Sequence, residues 1–329
     1  MVRIGSFNVL NLGQNTSYNK IGKIVDIVRH ARLDIVAFQE VKSEEPIKRM
    51  AQMLGPRWTY AFELSQMGQY QDGFAYIWDS IIFQLPVAKT QEGNLREFRP
   101  RILRQYCCFG GKKLVRNPYY ARFIPTKLSG EPFYELRLIN VHLRFSDKRM
   151  NDADDSEEIS TTELRRKEYV ILAQGLYPKY EDKIYGITDI DEYKDEAETE
   201  YPTSNRPSYT ILLGDYNLNL HKDGNPSPYL LGTPEIYGEY FDIGDKHIQT
   251  FQPEKTTISI TKDETGKERF RYSNNYDHAT YNTNRFNNRA LVTCHKVDAV
   301  EGVFAGDGVA YRKSVSDHLP IHVDFQIQK

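Results

Sequence analysis

Near the end of the chain, Ser316-Asp317-His318-Leu319-Pro320 sets an acid beside an imidazole. Far upstream, Gly214-Asp215-Tyr216-Asn217 sets an acid close to a carboxamide. Each string borders an apolar run. Other polar groups stand where further apolar runs end: Asn8 in the first, Glu40 after the second and His142 after a later one. These are the groups that cleavage of a phosphoester at a metal centre requires. A hard divalent cation needs a few carboxylates, the non-bridging oxygens need donors, and water needs a base. By residue type, Glu40 and Asp317 are natural ligands for Mg²⁺, and His318 is a natural base or charge stabiliser. Asn8, Asn217 and His142 are natural donors to phosphate oxygens. Taken singly, a Glu at a strand end is usually a surface residue and an Asn in such a string usually a turn former. Together they matter, because strand ends of packed sheets gather at one edge.

The elements that must position them alternate from the start. Arg3 to Leu10 reads as a buried strand. A helix follows with Ile21, Ile24, Val25 and Val28 on one face, preceded by the capping residues Thr16 and Ser17. Asp34 to Phe38 is a short strand ending at Gln39-Glu40. Ser43 to Leu54 is a second helix, with Pro46 in its first turn, Ile47, Met50, Ala51 and Leu54 on one face, and Gly55 as its stop. Phe74 to Trp78 and Ile81 to Leu85 form a strand pair, as do Tyr119 to Ile124 and Phe133 to Leu143. Ser160-Thr161-Thr162-Glu163 has the form of a capping box opening a helix that Gly175 stops. Tyr209 to Gly214 is a strand, and Ile321, Val323, Phe325 and Ile327 alternate with polar residues in the last one.

With 329 residues, 40% hydrophobic and 27% charged, the composition is that of a globular protein with a large core. No Gly-, Pro- or Ser-rich linker divides it, so a single domain over residues 1–329 is expected. Acidic insertions at about 147–158 and 181–200 read as surface loops, with a lid or partner-binding segment as the other reading. The net charge of -2 excludes a global basic field, although a local basic groove remains open. Three cysteines, two of them adjacent at Cys107 and Cys108, form no disulfide framework. With no apolar leader and no membrane-spanning run, a cytoplasmic setting is favoured, a secreted protein that has lost its signal being the alternative. Nothing in the sequence points to an obligate protein partner.

Five strings carry a resemblance: Ser6-Phe7-Asn8-Val9, Ala37-Phe38-Gln39-Glu40-Val41, Asn140-Val141-His142-Leu143, Leu213-Gly214-Asp215-Tyr216-Asn217 and Ser316-Asp317-His318-Leu319-Pro320. They resemble the endonuclease/exonuclease/phosphatase superfamily, in that family's order and almost end to end. The resemblance implies an α/β fold, a four-layered α/β sandwich of two packed, mainly antiparallel mixed sheets flanked by helices, with the site at one sheet edge. It implies Glu40 as principal ligand of Mg²⁺, with Asn8 and Asp317 nearby, and Mn²⁺ or Ca²⁺ as substitutes or helpers. Asp215 and Asn217 would orient water and phosphate, and His142 and His318 would flank the scissile phosphate. A sixth string, Asn275-Tyr276-Asp277-His278, resembles the family's penultimate strand, so Asp277 would orient His318 while His278 faces the other way.

Further details resemble the deoxyribonuclease I branch. Gln69-Tyr70-Gln71-Asp72 matches a groove-contacting Tyr and an acid that pairs with the first catalytic His, here Tyr70 and Asp72 with His142. Lys42 stands where that branch places a minor-groove Arg, and keeps the charge without the planar fork. Arg116-Asn117-Pro118 resembles a phosphate-contacting Arg-x-Pro. Lys112, Lys113 and Arg116 form a basic cluster, read equally as a solvated loop. Thr256-Thr257 matches a threonine-rich loop beside the metal. The resulting expectation is a Mg²⁺-dependent DNA endonuclease. The alternatives are a phosphatase or phospholipase C-type hydrolase of phosphoinositides, sphingomyelin or other small phosphoesters, and an inactive binding scaffold.

Overall fold

In a computed structural model, strand alternation sorts the first apolar run onto two faces. Val2 and Ile4 enter one buried cluster, while Phe7 and Val9 enter another. The structure describes residues 1–66, 72–89, 94–103, 114–131, 133–143, 150–151, 158–159, 161–181, 208–220, 247–251, 254–286 and 289–328. The strands of the two main sheets begin with β1 (Val2–Leu12), β2 (Ile35–Val41), β3 (Trp58–Gln66), β4 (Asp72–Asp79), β5 (Phe83–Gln84), β6 (Arg101–Ile102) and β7 (Tyr119–Pro125). They continue with β8 (Glu135–His142), β9 (Ser208–Asp215), β10 (Ile248–Phe251), β11 (Asp277–Asn282), β12 (Ala290–Lys296) and β13 (Ile321–Ile327). The first sheet has the order β12-β13-β1-β2-β4-β3. The second has the order β10-β11-β9-β8-β7-β5, with β6 also on β7. The pairs β1–β2 and β8–β9 are parallel and the other pairs antiparallel.

Three apolar clusters mark three interfaces, and so four layers. The central one packs the sheets face to face through Ile4, Ala37, Tyr76, Leu138, Ile211 and Phe325. A second lies under helices α1 (Tyr18–Ala31), α2 (Glu44–Leu54), α5 (Ala299–Phe304) and α6 (Gly308–Ser314) on the first sheet. The third lies under α3 (Thr161–Val170) and α4 (Tyr177–Glu181) on the second sheet. This is the four-layered sandwich expected from the sequence. Helices α1 and α2 are capped by Ser17 and Ser43 as their sequences require.

Several expectations need correction. Gly175 does not stop its helix: a π-helical segment, Ile171–Leu176, carries α3 into α4. Burial of Leu172, Leu176 and Tyr177 on the second sheet, with Tyr177 donating to Thr210 O at 2.8 Å, outweighs a Gly cost of about 1 kcal/mol. The strand expected over Ile81 to Leu85 shrinks to β5, because Asp79 to Ile82 form the turn. Strands β3, β10 and β12, and a hairpin of Ile258–Lys262 with Glu268–Tyr272, were not legible from periodicity. Strand β11 is not the penultimate strand, since β12 follows it in the other sheet. Glu181 is no solvated loop residue: it is 8% exposed and accepts bonds from Tyr177 and Asn282. In the first acidic stretch, 150–151 pair with 158–159. Residues 182–200, Tyr70, Cys107, Cys108, Lys112 and Lys113 lie outside the described residues. Among the described residues no helix is long and apolar enough to cross a membrane.

Candidate active site

One end of the two parallel pairs opens into a cleft of about 960 Å³. Its walls include Glu40, Lys42, Asp72, Arg116, His142, Asp215, Asn217, Thr257, Asp317 and His318, all of them singled out in the sequence. Asn8 and Asp277 are buried directly behind it.

Asp215, at the end of β9, is the hub. Its Oδ2 accepts from Asn8 Nδ2 at 2.9 Å, and lies 3.5 Å from His142 Nε2 and 3.6 Å from His318 Nε2. Its Oδ1 accepts from the backbone N–H of Asn217 at 2.8 Å, while the Asn217 carboxamide donates to Leu143 O. The preceding residue has to be glycine. Its φ is 149°, and a Cβ on Gly214 would sit 2.0 Å from Val141 O on the neighbouring strand β8.

His318 is held from three sides. Its Nδ1 lies 2.8 Å from Asp277 Oδ2, its N–H donates to Ser316 Oγ, and its carbonyl accepts from Tyr311 at 2.5 Å. Burial opposes charging the ring. Asp277, Asp215 and Asp317 outweigh it and push the imidazole pKa up to about 10. Thr256 Oγ1 fixes the strand carrying Asp277 by accepting from the N–H groups of Tyr276 and Asp277. Thr257 forms a backbone bridge to His318. As expected, His278 faces away: its Nε2 lies 3.0 Å from both Leu218 O and Asn275 O, and burial pushes its pKa down.

The second histidine is set by a shorter chain. Asp72 Oδ2 lies 3.3 Å from His142 Nδ1 and 2.7 Å from Arg116 Nε. Burial works against ionising Asp72, and His142 and Arg116 more than offset it, holding the carboxyl below its ordinary value. Arg116 Nη1 also donates to Leu143 O at 3.2 Å, so this Arg is built into the wall.

Glu40 sits on a contorted backbone. It has φ 61°, and Leu10 and Asn11 opposite it have φ 46° and 56°, all in the region β-strand residues avoid. The kink is a register break in β1–β2 between Asn8 and Leu12. It turns the Asn11 N–H onto Glu40 Oε2 at 2.9 Å, while Asn8 Nδ2 donates to Glu40 Oε1 at 3.1 Å. Because the Leu10 N–H occupies Asn8 Oδ1, Asn8 meets both carboxylates as a donor. Lys20, unremarked in the sequence, pins the kink by donating to Leu10 O at 2.6 Å. Burial pulls its pKa down to about 8 against the pull of Glu40 and Asp317.

Two groupings could hold a divalent ion. Asp215, Asp277 and His318 bring three ligand atoms within 4.8 Å of one another. In that trio Asp277 Oδ2 is already taken up by His318 Nδ1 at 2.8 Å and Asp215 Oδ2 by Asn8 Nδ2 at 2.9 Å. Glu40 and Asp317 fit a hard cation better. Among the described residues, Asp317 Oδ1 is buried without a hydrogen-bond partner, and Arg312 lies 3.3 Å from Oδ2. Behind the site, Gln39 Nε2 donates to Asn140 Oδ1 at 2.7 Å, and Asn140 Nδ2 donates to Phe38 O at 3.0 Å, tying the two sheets together.

The sequence signature of the endonuclease/exonuclease/phosphatase family matches residues 5–318. The chain belongs to this family. Its members are metal-dependent phosphoesterases and nucleases. No curated protein matches the chain. Among solved structures, humanized D. rerio TDP2 is 14% identical, with 99% of this chain and 98% of that one covered and a TM-score of 0.47. An endonuclease/exonuclease/phosphatase from Bacteroides vulgatus is 11% identical, with 99% of each chain covered and a TM-score of 0.49. The human nocturnin catalytic domain is 12% identical, covering 99% of this chain and 94% of that one, with a TM-score of 0.43.

Proposed function

We propose that this family member is a Mg²⁺-dependent phosphodiesterase that cuts DNA as an endonuclease, by in-line attack of water at phosphorus. The observation that carries this reading is the placement of Asp215 Oδ2 between Asn8, His142 and His318, in one cleft with Glu40 and Asp317. Asp215 accepts the proton of the attacking water as the water oxygen bonds to phosphorus and the P–O ester bond breaks. Asn217 shapes the turn that presents Asp215. Asp277, 2.8 Å from Nδ1, and Asp215, 3.6 Å from Nε2, favour the charged imidazole, and His318 serves a non-bridging oxygen as a donor. Asp277 is the residue that positions it. His142, steadied by Asp72, is the second donor. Glu40 and Asp317 would hold Mg²⁺, which when bound stabilises the charge developing on the leaving oxygen. Lys42 supports a polyanionic substrate: it is an exposed cation on the cleft wall with no carboxylate in ion-pair reach among the described residues.

Purified protein with Mg²⁺ is expected to nick supercoiled plasmid. Glu40→Ala and His318→Ala are each expected to lower the rate by about 100-fold or more, with unchanged circular dichroism. Undiminished nicking by either variant sinks the mechanism. A small or lipid phosphoester is the second reading, favoured by the apolar edge that Leu10, Ile258 and Ile260 give the cleft. Turnover of a phosphoinositide or sphingomyelin, with no plasmid nicking, decides for it.

A further inference from the structure

The hairpin of Ile258–Lys262 and Glu268–Tyr272 stands along one wall of the cleft, to which Ile258, Ser259 and Ile260 contribute. Strand alternation gives it two different faces. Ile258, Ile260, Phe270 and Tyr272 share the apolar one, and Ile258, Phe270 and Tyr272 pack into the helix-side core of the first sheet. Phe270 ring carbons lie 2.4 Å from where a Cβ on Gly308 would be, so the ring rests on bare backbone of α6. The Glu268–Lys313 ion pair and a Tyr272 hydrogen bond to Asp298 at 3.2 Å fasten the edges.

The other face is therefore committed outward. It carries two cross-strand pairs, each a hydroxyl opposite a guanidinium: Ser259 with Arg271 and Thr261 with Arg269. The two arginines are not equivalent. Asp263 accepts from Arg269 Nε at 2.9 Å while also closing the turn through Thr265 and Lys267. Arg271 is exposed and has no carboxylate in ion-pair reach among the described residues. A bond from its Nε to Ser259 Oγ at 3.1 Å anchors it to a residue of the cleft wall. The remaining guanidinium N–H groups are presented as a fork suited to a phosphate. By contrast, Arg116 and Arg312 inside the cleft are spent on Asp72 and Asp317.

We propose that Arg271 and Ser259 form a second phosphate subsite, outside the catalytic centre, for the backbone of a nucleic-acid strand leaving the cleft. This rests on the DNA reading above and deepens it. A substrate that uses the subsite must carry phosphates beyond the scissile one, which separates an oligonucleotide from a phosphomonoester or a lipid headgroup.

The test compares wild type, Arg271→Gln and Arg271→Lys on two substrates with Mg²⁺: a nucleoside p-nitrophenyl phosphodiester, which has one phosphate, and an oligodeoxynucleotide. For Arg271→Gln the oligonucleotide KM is expected to rise roughly tenfold with kcat unchanged, and diester turnover to stay at the wild-type level. The slope of log KM against log salt should fall by about 0.9 for a duplex or about 0.7 for a single strand, the loss of one phosphate contact. Arg271→Lys should keep most of that slope. An Arg271→Gln protein with wild-type oligonucleotide KM and slope overturns the subsite and leaves the DNA reading intact. A wild-type protein that hydrolyses the diester but no nucleic acid overturns both.

Discussion

Asp215 and His318 show how much of the site depends on single contacts. The imidazole is charged because Asp277 stands 2.8 Å from one nitrogen and Asp215 3.6 Å from the other. The folded-state pKa of about 10 is above the ordinary 6.5. The stability this gives is therefore whole below about pH 6.5 and is lost as pH rises through 10. Asp277→Asn is expected to lower the unfolding free energy of the metal-free protein by a few kcal/mol at pH 6. By pH 10 the gap between the two proteins should have narrowed. Groups such as Lys20 titrate in both and cancel in the difference. Urea unfolding at pH 6, 8 and 10 reads this directly, and a gap that does not move with pH contradicts it. The residue types of this pair were legible in the sequence because acid beside His is conspicuous. The partnership of Asp277 with His318 came only from family resemblance, since the two are 41 positions apart.

At the scale of elements, the kinked end of β1 is the least regular part of the first sheet and the part that presents Glu40. Leu10, Asn11 and Glu40 each hold a backbone conformation costing about 1–2 kcal/mol. Helix α1 holds the kink in place from outside through Lys20. Lys20→Met is expected to leave Leu10 O unpaired and to cost about 1–3 kcal/mol of stability, with Lys20→Arg recovering most of it, measured by chemical unfolding. A Lys20→Met protein as stable as wild type means the kink stands without the helix. Nothing in the sequence pointed to Lys20, because the helix periodicity that places it says nothing about a bond to a strand ten residues earlier. Elements with one buried face were legible, as in α1 and β13. Strand β3 and the cleft hairpin were not, because the half-buried Thr59 and Glu63 in one and the exposed Arg269 and Arg271 in the other interrupt the apolar signal. Gly175 misled for the opposite reason: tertiary burial overrode a strong local stop.

At the scale of the molecule, several polar bonds cross the largely apolar interface between the sheets, among them Tyr76 to Tyr119 O and Leu138 O and a joint built on Gln39 and Asn140. Gln39 of the first sheet donates to Asn140 Oδ1 of the second, and Asn140 Nδ2 donates back to Phe38 O, next to Glu40 and His142 in sequence. Gln39→Leu should cost about 2–3 kcal/mol by leaving buried Asn140 short of a partner, and Gln39→Leu/Asn140→Leu should recover part of it. A double-mutant cycle with coupling under about 0.5 kcal/mol would show that the joint is ornamental to stability. The order of the first sheet has a different consequence. Strand β13 is interior, between β12 and β1, and Ser316 just before it closes onto Asn8 O, 308 positions away. A chain still on the ribosome, or broken off before residue 318, lacks His318 and leaves the flank of β1 bare. A single cut between β12 and β13 would therefore remove the proposed phosphate donor and one of the two neighbours of β1 together.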